Sequence, residues 1–167
     1  GTAYLKDDID LTPEIAEVLI QHDGPIKVSD VFTIPEDFAE IIVKHNGKGL
    51  AFNNSNGDGP RLSNRVAQIL ATYKGDLTLN DIERLNHGYP TEAPYRDDIG
   101  GELEIAKAFA QHKGSLCLGI TEISIEAARE LFKHEGPLWV DGLYDDDNWP
   151  TGELLALLED LEKRRGS

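Results

Sequence analysis

The sequence predicts an α/β fold, a right-handed repeat solenoid of about five helix–strand units. Short parallel strands would form one face, helices the other, and a C-terminal helix would cap the end. Three observations carry this. A short stop recurs as Gln21-His22-Asp23-Gly24, Lys44-His45-Asn46-Gly47, Thr72-Tyr73-Lys74-Gly75, Gln111-His112-Lys113-Gly114 and Lys133-His134-Glu135-Gly136. A helical apolar pattern precedes each stop. An alternating apolar pair follows it. Repeats of roughly 20 to 50 residues mark stacked architectures.

The helices come first. Nine residues before each glycine stands Ile15, Phe38, Val66, Ile105 or Ala127, and eight before stands Ala16, Ala39, Ala67, Ala106 or Ala128. Five before stands Leu19, Ile42, Leu70, Phe109 or Leu131. These offsets lie on one helical face, and the recurring alanine lets helices approach closely. Twelve before come Thr12, Pro35, Ser63, Glu102 and Ser124, of which Thr12, Ser63 and Ser124 are good N-caps. Pro13 suits the first helical position. Glu14, Glu36, Asp37 and Glu126 complement the helix dipole. Each stop glycine is expected to supply a left-handed residue that ends its helix.

The strands follow. Ile26/Val28, Leu50/Phe52, Leu77/Leu79, Leu116/Leu118 and Leu138/Val140 alternate as strands with one buried side. Val31, Ile34, Ile82, Leu85, Ile120, Ile123 and Leu143 extend the buried ridge towards the next helix. Gly24 to Gly47 is 23 residues and Gly114 to Gly136 is 22, room for a short strand, a helix of about three turns and tight connections. Neither element can bury its apolar side alone, so the units must stack.

The segment Leu77-Thr78-Leu79-Asn80-Asp81-Ile82-Glu83-Arg84-Leu85 resembles the strand segment of a leucine-rich repeat. The unit is similar to the bacterial variant whose Ala-rich helix ends in His-x-Gly before the strand. The resemblance covers roughly residues 11–144. It departs from the best-known pattern in having Ser29, Asn53, Asn80, Gly119 and Asp141 where an asparagine ladder is expected. The resemblance implies a curved parallel sheet and a protein-binding role, and no catalytic residue.

One repeat domain is expected over 1–167, with an N-terminal cap at 1–10, repeats over 11–144 and a capping helix at 150–165. Tyr4 and Leu5 are available to cover the first unit. Leu154, Leu155, Leu157, Leu158 and Leu161 give the last helix an apolar side. Insertions interrupt the period near 53–61 and 86–101. The second contains His87, Tyr89, Tyr95 and Arg96. Inserted loops on a regular scaffold are either functional or tolerated surface.

Composition narrows the function. The chain carries 31 acidic and 16 basic residues, a formal net charge of −15. That disfavours direct nucleic-acid binding and suits fast association with a basic protein. No apolar run is long enough to span a membrane. The single cysteine, Cys117, excludes an internal disulfide framework. A cytoplasmic monomer is the expectation. Gly1-Thr2 and Gly166-Ser167 read as non-native ends, and the missing initiator Met leaves room for a longer natural chain or a removed targeting segment.

Between the paired inward residues, the strands should show Lys27, Ala51, Thr78, Cys117 and Trp139 to solvent. Trp139 would be an interface anchor. The competing arrangement buries it under the C-terminal segment. Asp141, Tyr144, Asp145, Asp146, Asp147 and Trp149 form an acidic, aromatic cluster beside it. The expected partner-binding residues are therefore Lys27, Thr78, Asn80, Tyr89, Tyr95, Trp139, Asp141, Tyr144, Asp145 and Asp147.

No cofactor or metal is expected. Asn54-x-Asn56-x-Asp58-Gly59 imitates half a calcium loop, but Arg65 stands at its twelfth position and the loop has one carboxylate. The recurring histidines fit helix C-terminal capping better than a metal site, since regular spacing along a rim suits no compact tetrahedron. Cys117 lacks a basic neighbour that would activate it. The function these features predict is non-enzymatic protein binding, in its sharpest form an immunity or inhibitor protein that occludes a basic toxin or enzyme. The rivals are a structural module from a larger repeat protein and an enzyme with a site in the 86–101 insertion.

Overall fold

Short polar side chains start three of the helices where the repeat puts them. Thr12 Oγ1 accepts from the Ile15 N–H at 3.4 Å, Ser63 Oγ from Val66 at 3.0 Å and Ser124 Oγ from Ala127 at 3.2 Å. Each such cap stabilises its helix by about 1 kcal/mol. The structure, a computed structural model, describes residues 1–6, 9–54, 60–85, 101–143 and 150–166, apart from the side chains of 81, 83 and 84. In chain order the elements are β1 (Ala3–Leu5), α1 (Pro13–Leu19), β2 (Ile26–Val28), α2 (Glu36–Ile42), β3 (Gly49–Phe52) and α3 (Asn64–Ala71). Then come β4 (Asp76–Arg84), α4 (Glu102–Ala110), β5 (Leu116–Glu122), α5 (Ile125–Leu131), β6 (Leu138–Asp141) and α6 (Gly152–Arg165).

The six strands form one open parallel sheet in the order β1-β2-β3-β4-β5-β6. Strand order equals chain order, and each helix packs on the next, α1 on α2 through α5 on α6. Alternating helix–strand units around a parallel sheet are compatible with a repeat fold.

Strand register follows the glycine alignment. Ile26 pairs with Leu50, Leu50 with Leu77, Leu77 with Leu116 and Leu116 with Leu138. Val28, Phe52, Leu79, Leu118 and Val140 make the second inward row, and both rows are buried. Behind them Ala16, Ala39, Ala67, Ala106 and Ala128 are each 0% exposed, so a larger residue there would have to push the helix layer off the sheet. Leu158 and Leu161 of α6 close the C-terminal end of the core.

Three expectations need correction. The first ten residues are more than a polar cap, because Ala3–Leu5 pairs with Ile26–Val28 as a sixth strand. The signal was present: Gly1-x-Ala3-x-Leu5 has the form of Gly24-x-Ile26-x-Val28. Next, β4 holds an extra residue between Leu79 and Ile82, against Leu118 and Ile120 of β5, so Asn80 sits in a bulge and not in a regular ladder.

The stop glycines are the third. Among the described glycines only Gly142 and Gly152 have positive φ, so Gly24, Gly47, Gly75, Gly114 and Gly136 are not left-handed. They are glycines because nothing larger fits. A Cβ on Gly136 would stand 2.8 Å from Gly114 O and 2.9 Å from His134 Cε1. A Cβ on Gly24 would collide with Gly1 O, and one on Gly114 with Gly75 O.

Candidate partner-binding face

The sheet's outer row runs Tyr4, Lys27, Ala51, Thr78, Cys117, Trp139, each paired in register with the next. Five strand spacings of about 4.8 Å give this row a span of roughly 24 Å. Trp139 stands 40% exposed at one end and Tyr4 64% exposed at the other. Lys27, Ala51, Thr78 and Cys117 between them are half-buried, and the last three are small. Large aromatics at both ends, with a lysine and three small residues between them, make an amphipathic surface.

The C-terminal end of this face has the most chemistry. Asp141 pairs with Gly119 along β5 and β6, two residues beyond Trp139. Its carboxylate accepts from Cys117 Sγ at 3.6 Å. Burial, and then the Asp141 charge and hydrogen bond, push the Cys117 thiol up to about 11. A thiol held protonated is a poor nucleophile, so this pair does not resemble an activated catalytic cysteine. Asp141 itself is exposed.

Of the expected binding residues, the structure brings Lys27, Thr78 and Trp139 into one row, with Asp141 beside Trp139 and Asn80 in the β4 bulge. Tyr89, Tyr95, Tyr144, Asp145 and Asp147 lie outside the described residues, as do Trp149, His87 and the core of the first insertion. Tyr4 joins the face unpredicted. Sequence reasoning also missed Phe32, 48% exposed, which lines a groove of about 370 Å³ with Lys6, Ile9 and Asp10 beyond the ends of β1 and β2.

The recurring histidines take a structural place, though not as caps of their own helices. His22 Nε2 bonds Gly1 O at 2.8 Å, His45 Nε2 bonds Gly24 O at 2.9 Å and the Tyr73 hydroxyl donates to Gly47 O at 3.0 Å. Each side chain straps its unit to the stop glycine of the unit before. His112 Nδ1 reaches back to Ala71 O at 3.4 Å, while His134 Nδ1 contacts Gly136 O at 3.0 Å in its own turn. The rings also stack, His45 on Tyr73 with centroids 6.5 Å apart and His112 on His134 at 5.9 Å. Burial first, then the neighbours His112 and Lys113, lower the His134 pKa, against the raising effect of the Gly136 and Gly114 backbone. Among the described residues no group of three or more His, Cys, Asp or Glu could hold a metal ion.

Comparison with protein-family models, with curated proteins and with solved structures returns no match. No helix among the described residues is long and apolar enough to cross a membrane.

Proposed function

We propose that this chain is a non-enzymatic, leucine-rich-repeat-like solenoid that binds another protein through the outer face of its sheet. The observation that supports this most is Trp139, 40% exposed on that face, with the exposed Asp141 two residues further along the strand. Exposed tryptophan is costly to leave in water and is enriched among the residues that dominate interface energies. The net charge of −15 favours a basic partner and a fast, salt-sensitive encounter. An immunity or inhibitor protein that occludes a basic toxin or enzyme fits this combination, acting as a monomer and needing no cofactor.

The test is the product of the adjacent gene. A basic protein encoded there should bind the wild-type chain, and Trp139→Ala should weaken the complex by about 30-fold or more, the cost of a hot-spot residue. Unchanged affinity in titration calorimetry would remove the sheet face from the interface. A gene with no toxin beside it would sink the immunity reading.

A further inference from the structure

On β6, Trp139 and Asp141 are both exposed, while Leu138 and Val140 are buried. Outward side chains two residues apart on one strand start about 7 Å apart at the backbone. The Asp141 side chain closes part of that gap. Cys117 is in register with Trp139, and its thiol donates to Asp141 Oδ2 at 3.6 Å. The bond draws the carboxylate back along the strand, towards the row that holds the indole.

The charge at this corner is unmatched. The thiol is neutral at physiological pH, so Asp141 carries the only charge among the three side chains. Its one hydrogen-bond partner is that thiol, and no cation pairs with it among the described residues. Lys27, the basic residue of the outer row, stands four strand spacings away, roughly 19 Å. An indole face and a carboxylate both attract a cation, and here they lie side by side.

A cation that satisfies both groups needs a flat surface for the ring and paired N–H donors for the carboxylate. A guanidinium has the plane and the fork, and an ammonium has neither. We infer that Trp139 and Asp141 form a receptor for one arginine side chain, its guanidinium stacked on the indole and forked onto the carboxylate. For its place in a complex the receptor rests on the sheet face being the interface, and it names what the partner presents there. It also gives the basic partner a local cause besides the net charge of −15.

The probe is a blocked tripeptide with arginine between two glycines, beside analogues carrying lysine or citrulline, titrated at about 0.15 M salt with NMR detection. Saturable shifts of the Trp139 indole N–H and the Asp141 amide are expected with the arginine peptide. Affinity should be about tenfold lower for citrulline and at least about threefold lower for lysine. Trp139→Ala and Asp141→Asn should each weaken arginine binding by about tenfold, while Lys27→Ala leaves it unchanged. Urea curves establish that the variants stay folded. No saturable shift at these residues, equal binding of the lysine or citrulline peptide, or binding indifferent to Asp141→Asn overturns the receptor. Arginine binding that meets every expectation, with partner affinity unmoved by Trp139→Ala, would instead remove the sheet face from the interface and leave the receptor standing.

Discussion

Gly114→Ala separates two explanations of the stop glycines. If a glycine is needed for a left-handed backbone, asparagine is a tolerable replacement and alanine a poor one. If it is needed because units touch there, both fail, asparagine more. A Cβ on Gly114 would collide with Gly75 O and stand 2.9 Å from Gly75 C and 3.0 Å from His112 Nε2. Two of those atoms are backbone, so no rotamer relieves them. Ordinary contact begins near 3.4 Å, so the carbonyl carbon alone must retreat by about 3.4 − 2.9 = 0.5 Å. That retreat pulls on the Leu77–Leu116 pairing two residues along. Overpacking by one methyl costs about 1–3 kcal/mol, and the stiffer unfolded chain of an alanine variant offsets about 0.4–1 kcal/mol of it. With backbone on the far side the upper part of the range applies, for a net loss of about 2 kcal/mol. For a chain of this size that lowers Tm by about 4–8 °C. Urea denaturation of wild type, Gly114→Ala and Gly114→Asn measures it. A loss below about 0.5 kcal/mol, or an asparagine variant more stable than the alanine one, would refute the close-approach argument.

Two further outcomes follow from the titrating groups. Cys117, held near 11 against an ordinary value of 9.0, should react with iodoacetamide at pH 8 about 100-fold more slowly than a free thiol, and Asp141→Asn should recover part of that rate. For His134, burial lowers the folded-state pKa, so the unfolded chain binds the extra proton. Stability is then complete above the unfolded value of about 6.5 and falls as pH drops below it towards the depressed folded pKa. His112 and Lys113 face the same ring and sharpen the effect. His134→Gln should flatten the fall in Tm between pH 7 and pH 5; an unchanged slope would mean that other groups control acid unfolding.

Most of the fold was legible because the repeat writes each role five times. One ambiguous Leu pair says little, but five pairs aligned on five glycines specify which residues turn inward, and register and burial follow that alignment from Ile26 to Val140. Local chemistry was legible where it depends on neighbours in sequence, as at the Thr12, Ser63 and Ser124 caps. What stayed hidden depends on the neighbouring unit. No spacing rule says that a glycine is required by another glycine's carbonyl, or that His45 bonds Gly24 O across 21 residues. β1 escaped because one strand without its helix lacks the 3.6-residue pattern that announced the others. The face itself was half legible. Lys27, Thr78 and Trp139 came from alternation, whereas the bulge at Asn80 stayed hidden because a bulge changes register without changing composition.

The straps also decide where such a chain can vary in length. From the buried helix alanine to the stop glycine the interval is eight residues in every unit, as from Ala16 to Gly24 and from Ala128 to Gly136. A residue added inside that interval would lift His45 or Tyr73 off the carbonyl it reaches and part the stacked rings. The two long spacings of this chain, 28 and 39 residues between glycines, arise instead between a strand and the following helix. Each unit thus has a half that is metrically fixed and a half open to insertion. New loops, and whatever recognition they bring, can be added along the strand-end edge without disturbing the rim that keeps the units in step.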